Sequence, residues 1–178
     1  MRVVAGSLGG RKLKVPEGSG TRPTTDRVRE AVFNALFSLG AIEDANVIDL
    51  FAGSGALGIE ALSRGAQRAT FVEQAPAALA VLRDNLHQLD LLDRATVVAG
   101  DGFVHLQRSG PFDLVLLDPP YGFDGWDDLL GMIVSGVVVI ESDREIAVPP
   151  HWLVHRVKRY GTSVVTFASA SDPREAAS

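Results

Sequence analysis

The sequence contains no cysteine, which excludes disulfide scaffolds, thiol nucleophiles, cysteine-bound zinc and iron–sulfur centres together. It also lacks an apolar run approaching the roughly 20 residues of a membrane-spanning helix. Residues 1–5 lead into Gly-Ser-Leu-Gly-Gly rather than a signal-peptide hydrophobic stretch, so a soluble, cytoplasmic protein without a membrane partner is expected. There is no internal repeat and no long linker, and 178 residues leave room for one domain rather than two. What is present is ordinary: 46% hydrophobic and 22% charged residues allow a sizeable core and exclude a disordered chain.

The net charge of −5 conceals an asymmetry. Arg2, Arg11, Lys12, Lys14, Arg22, Arg27 and Arg29 are opposed in the first 29 residues only by Glu17 and Asp26, an excess of five positive charges that leaves −10 on the remainder. A basic segment on an acidic body is the electrostatic footprint of a polyanion partner, with a catalytic or small-molecule unit behind it. A solvated, glycine-rich strand pair accounts for the charge equally well.

Short β-prone pieces at 3–5 and 12–15 around Gly9-Gly10 imply a hairpin, so 1–20 is read as a basic N-terminal extension. Residues 16–23 read as a loop. Ala31, Val32, Ala35, Leu36 and Leu39 fall at helical spacing, with Thr24, Thr25 or Asp26 as N-cap and Gly40 as stop, which predicts a helix over 26–39. Runs at 47–51, 69–73, 96–99, 112–117 and 137–140 are apolar without alternation, as in strands buried on both faces. Helical segments at 56–64, 76–89, 102–107 and 126–133 separate them. This order predicts an α/β fold, a mostly parallel sheet with helices on both faces. Residues 152–159 and 163–167, joined by Tyr160-Gly161-Thr162, form an antiparallel hairpin that closes it. The domain thus spans 21–168, and the small, polar residues 169–178 are expected to be a disordered tail, with fraying from Ala168.

The strand 47–51 runs into Phe51-Ala52-Gly53-Ser54-Gly55-Ala56-Leu57-Gly58 and then a helix. Gly53 and Gly55 allow a tight turn and close approach to a ligand, while Gly58 lets the helix pack near the sheet. Glu73 ends the second strand 20 residues after Gly53, where a carboxylate takes the two hydroxyls of a ribose. Together these features mark an adenosine-containing cofactor, either a dinucleotide or S-adenosylmethionine. Asp49 beside the glycines suits the amino and sulfonium groups of S-adenosylmethionine better than a pyrophosphate. Asp101 follows the third strand, where it either meets an adenine amine or caps the helical turn starting at Gly102.

Asp118-Pro119-Pro120-Tyr121 follows the apolar fourth strand directly. Two prolines stiffen the strand exit and hold a carboxylate, a carbonyl and an aromatic ring in fixed relation. A purine exocyclic amine is a weak nucleophile because its lone pair is delocalised into the ring. Acceptors on its two hydrogens orient that lone pair, and the Asp118 side chain and the Pro119 carbonyl supply them while Tyr121 stacks on the base. Methyl transfer then proceeds by in-line displacement through positioning and electrostatics, with no metal. His151 and His155, despite their spacing, read as solvated residues beside Arg156, Lys158 and Arg159, and Trp126 and Trp152 as core anchors.

With the stretch 22–30, Arg-Pro-Thr-Thr-Asp-Arg-Val-Arg-Glu, these motifs make the chain resemble the bacterial 16S ribosomal RNA (guanine-N2) methyltransferases of the RsmD family, over about residues 2–167. The resemblance implies a Rossmann-like class I methyltransferase fold of seven strands with the last antiparallel. It implies S-adenosyl-L-methionine as cofactor and, as substrate, a guanine in 16S ribosomal RNA of the assembled or nearly assembled small subunit. It assigns Asp49, Gly53 and Gly55 to the methionyl end of the cofactor, Glu73 to the ribose and Asp101 to the adenine, with Phe51, Ala52, Ser54 and Gly102 as further cofactor-binding residues. The 22–30 stretch closes over the pocket, where Thr24, Thr25 or Arg29 reaches the methionyl carboxylate or the RNA. Gln74 stands where related enzymes often have an acid. Arg2, Arg11, Lys12, Lys14, Arg22, Arg27 and Arg29 become candidate phosphate contacts of a monomer. The rivals are adenine-N6 methylation of DNA, glutamine methylation of a protein, a dinucleotide-dependent oxidoreductase and a non-catalytic RNA-binding assembly factor.

Overall fold

Residues 1–16, 25–134 and 136–170 are described in the computed structural model of the chain. Their regular elements are α1 (Thr25–Ser38), β1 (Asn46–Asp49), α2 (Ala56–Ser63), β2 (Arg68–Glu73), α3 (Pro76–Gln88), β3 (Ala95–Ala99), α4 (Gly102–Leu106), β4 (Leu114–Leu117), α5 (Trp126–Gly131), β5 (Gly136–Ser142), β6 (Leu153–Tyr160) and β7 (Ser163–Ala170). The seven strands form one sheet in the order β3-β2-β1-β4-β5-β7-β6. β1 to β5 are parallel, and β7 runs antiparallel between β5 and β6. This is the class I methyltransferase arrangement that the resemblance implies.

All four residues of β4, Leu-Val-Leu-Leu, are buried, as a central strand between two helical layers requires. Strand alternation sends Val47, Phe71, Leu114, Leu116, Val139, Val165 and Phe167 into one core with residues of α1, α2 and α3. Ile48, Val72, Val115, Leu117, Val138 and Ile140 face the other core, filled by Trp126, Leu129 and Leu130 of α5. Trp126 and Trp152 are both core residues. The chain leaves β1 and β4, the two central strands, toward opposite ends of the sheet order, and such a switch point opens a crevice beyond the carboxyl ends of the strands. α2 lies so close to the sheet that a Cβ at Gly58 would stand 2.3 Å from the Phe71 ring, which is the close packing expected of that glycine.

Two expectations need correction. The N-terminal segment turns back on itself through an Arg2–Lys12 antiparallel bridge and bonds from Val3 N to Arg11 O, from Gly10 N to Val3 O and from Leu13 N to Met1 O, a shorter pairing than strands at 3–5 and 12–15 would make. The N–H groups of Val4 and Ala5 are bonded to the Glu60 carboxylate at 2.7 and 3.0 Å, so they cannot serve a ladder, and Val3 and Leu13 are buried in the core. At the other end, β7 continues to Ala170, which pairs with Gly136. Ala168 to Ala170 therefore belong to the sheet, because apolar Ala168 and Ala170 fill the core on the α5 face. The expectations for Arg22 and Thr24, for the Thr25 side chain and for the tail beyond Ala170 lie outside the described residues.

Candidate active site

The sequence-predicted residues gather at the carboxyl edge of β1, β2, β3 and β4. Gly53 and Gly55 both have positive φ, 54° and 85°, a conformation that favours glycine. Gly55 caps α2 and faces inward, where a Cβ would stand 2.5 Å from Leu82, whereas a Cβ at Gly53 would meet nothing within 4 Å, so the backbone is open at Gly53. Asn85, buried in α3, donates to the Ser54 carbonyl at 2.9 Å and exchanges hydrogen bonds with the Lys14 backbone. The glycine loop is thereby fastened to the basic N-terminal segment.

Asp49 lies beneath this loop and is 1% exposed. Its Oδ2 accepts the Gly58 N–H at 3.0 Å, while its buried Oδ1 has no hydrogen-bond partner among the described residues. Burial pushes its carboxyl up to about 7, against the pull of the Gly58 N–H and with a further push from the charge of Glu73. An acidic group in that state is short of one donor or cation, and an ammonium group fits the deficit.

Glu73 is held by three backbone N–H groups. Its Oε2 accepts the Gly53 N–H at 2.8 Å, and its Oε1 accepts those of Gln74 and Ala75 at 2.8 and 2.7 Å. It therefore shapes the glycine turn and the start of α3 as well as offering lone pairs to a ligand. Asp101 is the N-cap of α4, its Oδ1 accepting from Phe103 and Val104. Beside it, Phe51, Phe103, Phe123 and Trp126 form an aromatic cluster, with the Phe123 ring centroid 5.5, 6.2 and 5.0 Å from the other three.

Asp118 is half-buried, Pro119 buried, and Pro120 and Tyr121 exposed. The Phe123 N–H bonded to the Pro120 carbonyl at 3.2 Å, with Gly122 at φ 80°, closes the turn that presents the tetrad. The Tyr121 hydroxyl lies 3.4 Å from Ser163 Oγ and 3.5 Å from Thr162 Oγ1, at the β6–β7 turn.

The candidate phosphate contacts divide. Arg2, Arg11, Lys12, Lys14 and Arg27 are exposed, Arg2 and Lys14 near Asp26 and Asp84 respectively. Arg29 is not a surface cation: it is 3% exposed, paired with Glu60 at 3.5 Å and Asp26 at 3.0 Å, and bonded to the Arg2 carbonyl. Its role in the free protein is structural, because the fully buried Glu60 also takes Arg64 at 2.7 Å and needs both cations. Sequence reasoning missed Glu60, although an acid in the middle of the apolar helix Ala-Leu-Gly-Ile-Glu-Ala-Leu-Ser is itself a signal. It also missed Phe103, Phe123 and Asn85. A recess of about 720 Å3 opens at the opposite edge of the sheet, lined by Glu43, Asp44, Asp113 and neighbours, and none of the predicted residues lines it.

A family model described as "Conserved hypothetical protein 95" matches residues 1–169. The chain is 39% identical over 172 residues to the ribosomal RNA small subunit methyltransferase D of Escherichia coli, covering 90% of this chain and 85% of that one. It is 40% identical over 160 residues to the Bacillus subtilis protein YlbH, covering 84% and 86%. The solved structure of the Escherichia coli protein YhhF superimposes with a TM-score of 0.85 at 37% identity, over 97% of this chain and 98% of that chain.

Proposed function

The chain belongs to the ribosomal RNA small subunit methyltransferase D family, and from that premise we propose that it methylates the exocyclic N2 amine of a guanine in 16S ribosomal RNA, presented by the assembled or nearly assembled small subunit. It is an S-adenosylmethionine-dependent ribosomal RNA methyltransferase, and in this proposal it acts as a monomer in the cytoplasm. The observation that carries the reading is that Asp49 Oδ1, without a hydrogen-bond partner among the described residues, and the Asp118-Pro119-Pro120-Tyr121 turn lie at the same edge of adjacent strands β1 and β4.

The residues present fit the cofactor. Asp49 Oδ1 would hold its ammonium, the open backbone at Gly53 its methionyl chain, Glu73 its ribose, and Asp101 with Phe103 its adenine. When bound, S-adenosylmethionine supplies a methyl group on a sulfonium, whose sulfur leaves as a neutral thioether. The chain's own residues prepare the nucleophile. Asp118 and the Pro119 carbonyl hold the two N2 hydrogens, which turns the amine lone pair away from the ring and toward the methyl. As the N2–carbon bond forms, one N2 proton passes to the Asp118 carboxylate and then to water. Tyr121 holds the base plane, and Arg2, Arg11, Lys12, Lys14 and Arg27 contact phosphates without reading sequence.

The test incubates the purified protein with methyl-labelled S-adenosylmethionine and small subunits that lack the modification, followed by nucleoside analysis. Label in N2-methylguanosine, reduced at least about a thousandfold in Asp118→Ala with cofactor binding intact, is the expected result. Label in DNA or protein instead would refute the RNA assignment.

A further inference from the structure

We propose that Glu141 is the residue that selects guanine, by accepting the N1–H of the target base beside Asp118. The inference rests on the guanine-N2 reading above and deepens it.

Leu117 of β4 pairs with Ile140 of β5, so Asp118 and Glu141 are the next positions on adjacent parallel strands, which run about 4.8 Å apart. Leu116 and its register partner Val139 face the α1–α3 core, and alternation puts Asp118 and Glu141 on that same face, with Asp49 at the end of β1. Glu141 is also tied to the tetrad through side chains. Ser163 Oγ donates to its Oε1 at 3.0 Å, and the same hydroxyl lies 3.4 Å from Tyr121 Oη.

Folding alone leaves this carboxylate incompletely satisfied. Glu141 is half-buried, yet no Lys, Arg or His among the described residues pairs with it, and its only donor among them is Ser163. A carboxylate accepts on both oxygens, so Oε2 is available to a ligand donor. Guanine carries two adjacent donors on its Watson–Crick edge, N1–H and the N2 amine. Once Asp118 holds the amine, N1–H is directed at a neighbouring acceptor. Adenine and 2-aminopurine present a bare N1 lone pair there, which a carboxylate repels.

The experiment uses the full-length protein and small subunits reconstituted with guanine or 2-aminopurine at the nucleotide that the wild-type protein methylates. 2-Aminopurine keeps the acceptor amine but has no N1–H. Wild type is expected to favour guanine in kcat/KM by about a hundredfold, the scale of a charge-assisted bond exchanged for a repulsive contact. Glu141→Gln keeps the side-chain shape and the Ser163 bond, and its amide can donate to a bare N1. Its rate on guanine should fall about thirtyfold and its guanine preference to less than about threefold, with S-adenosylmethionine affinity unchanged. Ser163→Ala leaves the charge in place and should slow both bases while keeping the preference. A Glu141→Gln protein that still makes N2-methylguanosine with the wild-type preference overturns this inference alone. A wild-type product other than N2-methylguanosine overturns it together with the reading on which it rests.

Discussion

Asp49 should make cofactor binding pH-dependent in a window set by its burial. Its carboxyl is pushed from 3.8 up to about 7 by desolvation, opposed by the Gly58 N–H and assisted by the Glu73 charge. Between those two values the folded, ligand-free protein holds a proton that the unfolded chain has lost, so its stability falls as pH rises through the window. At about 1.4 kcal/mol per pH unit, keeping Asp49 ionised at neutral pH costs about 4 kcal/mol. A ligand ammonium against Oδ1 favours the carboxylate, so binding expels that proton. At about pH 5 only about one free molecule in a hundred carries ionised Asp49, and affinity should be about a hundredfold weaker than on the plateau approached above about pH 7. Titration calorimetry with S-adenosylhomocysteine, in buffers of differing ionisation enthalpy, should find about one proton released at about pH 5 and only about a quarter of one at about pH 7.5. Higher pH is avoided because an α-amino group itself titrates near about 7.7–8.0. Asp49→Asn should bind more weakly and without this slope. A flat affinity with no proton release, or the same slope in Asp49→Asn, would refute the reasoning.

Other outcomes follow from the packing. Glu60→Ala strips the buried Arg29 Nε of its carboxylate, leaving Asp26 as its remaining acid, and frees the Val4 and Ala5 N–H groups, so it should cost about 3 kcal/mol, read by denaturant unfolding. Gly58→Ala places a methyl within 2.3 Å of the Phe71 ring and should destabilise by about 1–3 kcal/mol; because the same residue bonds Asp49, cofactor affinity should fall too. Reversing the exposed Lys12 to Glu should weaken subunit binding and flatten its dependence on log salt by about 0.7–0.9 per lost phosphate contact. Arg29→Ala, by contrast, should lower the unfolding temperature without changing that slope.

Much of the fold was legible because each strand of the parallel sheet is buried on both faces and so appears as an unbroken apolar run, as in Leu114 to Leu117. Asp118 was legible for the same reason, since it stands where such a run stops, and Asp49 because it interrupts the run 47–51 just before the glycines. Glu141 follows the run 137–140 in the same way, but no neighbouring glycine or proline motif draws attention to it. Its meaning comes from β4–β5 register and from Ser163, 22 residues away. Arg29 was misread for a related reason: local charge does not reveal a partner 31 positions along the chain, and only the approach of α1 to α2 shows that Glu60 has taken it inward. The N-terminal segment was expected as a hairpin because the sequence shows β-propensity but not the competing acceptor. The Glu60 carboxylate offers a charge-assisted bond to each of two N–H groups, which outweighs neutral ladder bonds.

Recognising amines and phosphates on one small protein sets two electrostatic demands in conflict. Asp49, Asp118 and Glu141 end three adjacent strands because the groups they are proposed to meet, an ammonium, an exocyclic amine and a ring N–H, are all donors. The same three charges repel the phosphates on either side of a target base, and a Debye length of about 8 Å at physiological salt does not screen charges this close. The opposing cations must therefore be near the site but held apart from its carboxylates, or they would pair with them. The fold does this by anchoring the cationic segment through its backbone. Val4 and Ala5 are bonded to Glu60, Lys14 to Asn85, and Asn85 in turn to Ser54 of the glycine loop. The side chains of Arg2, Arg11 and Lys12 remain exposed, available to phosphate. An Asn85→Ala substitution, which cuts the link between loop and segment while leaving every charge in place, should therefore weaken both S-adenosylmethionine and subunit binding, whereas loss of only one would show that the two surfaces are built independently.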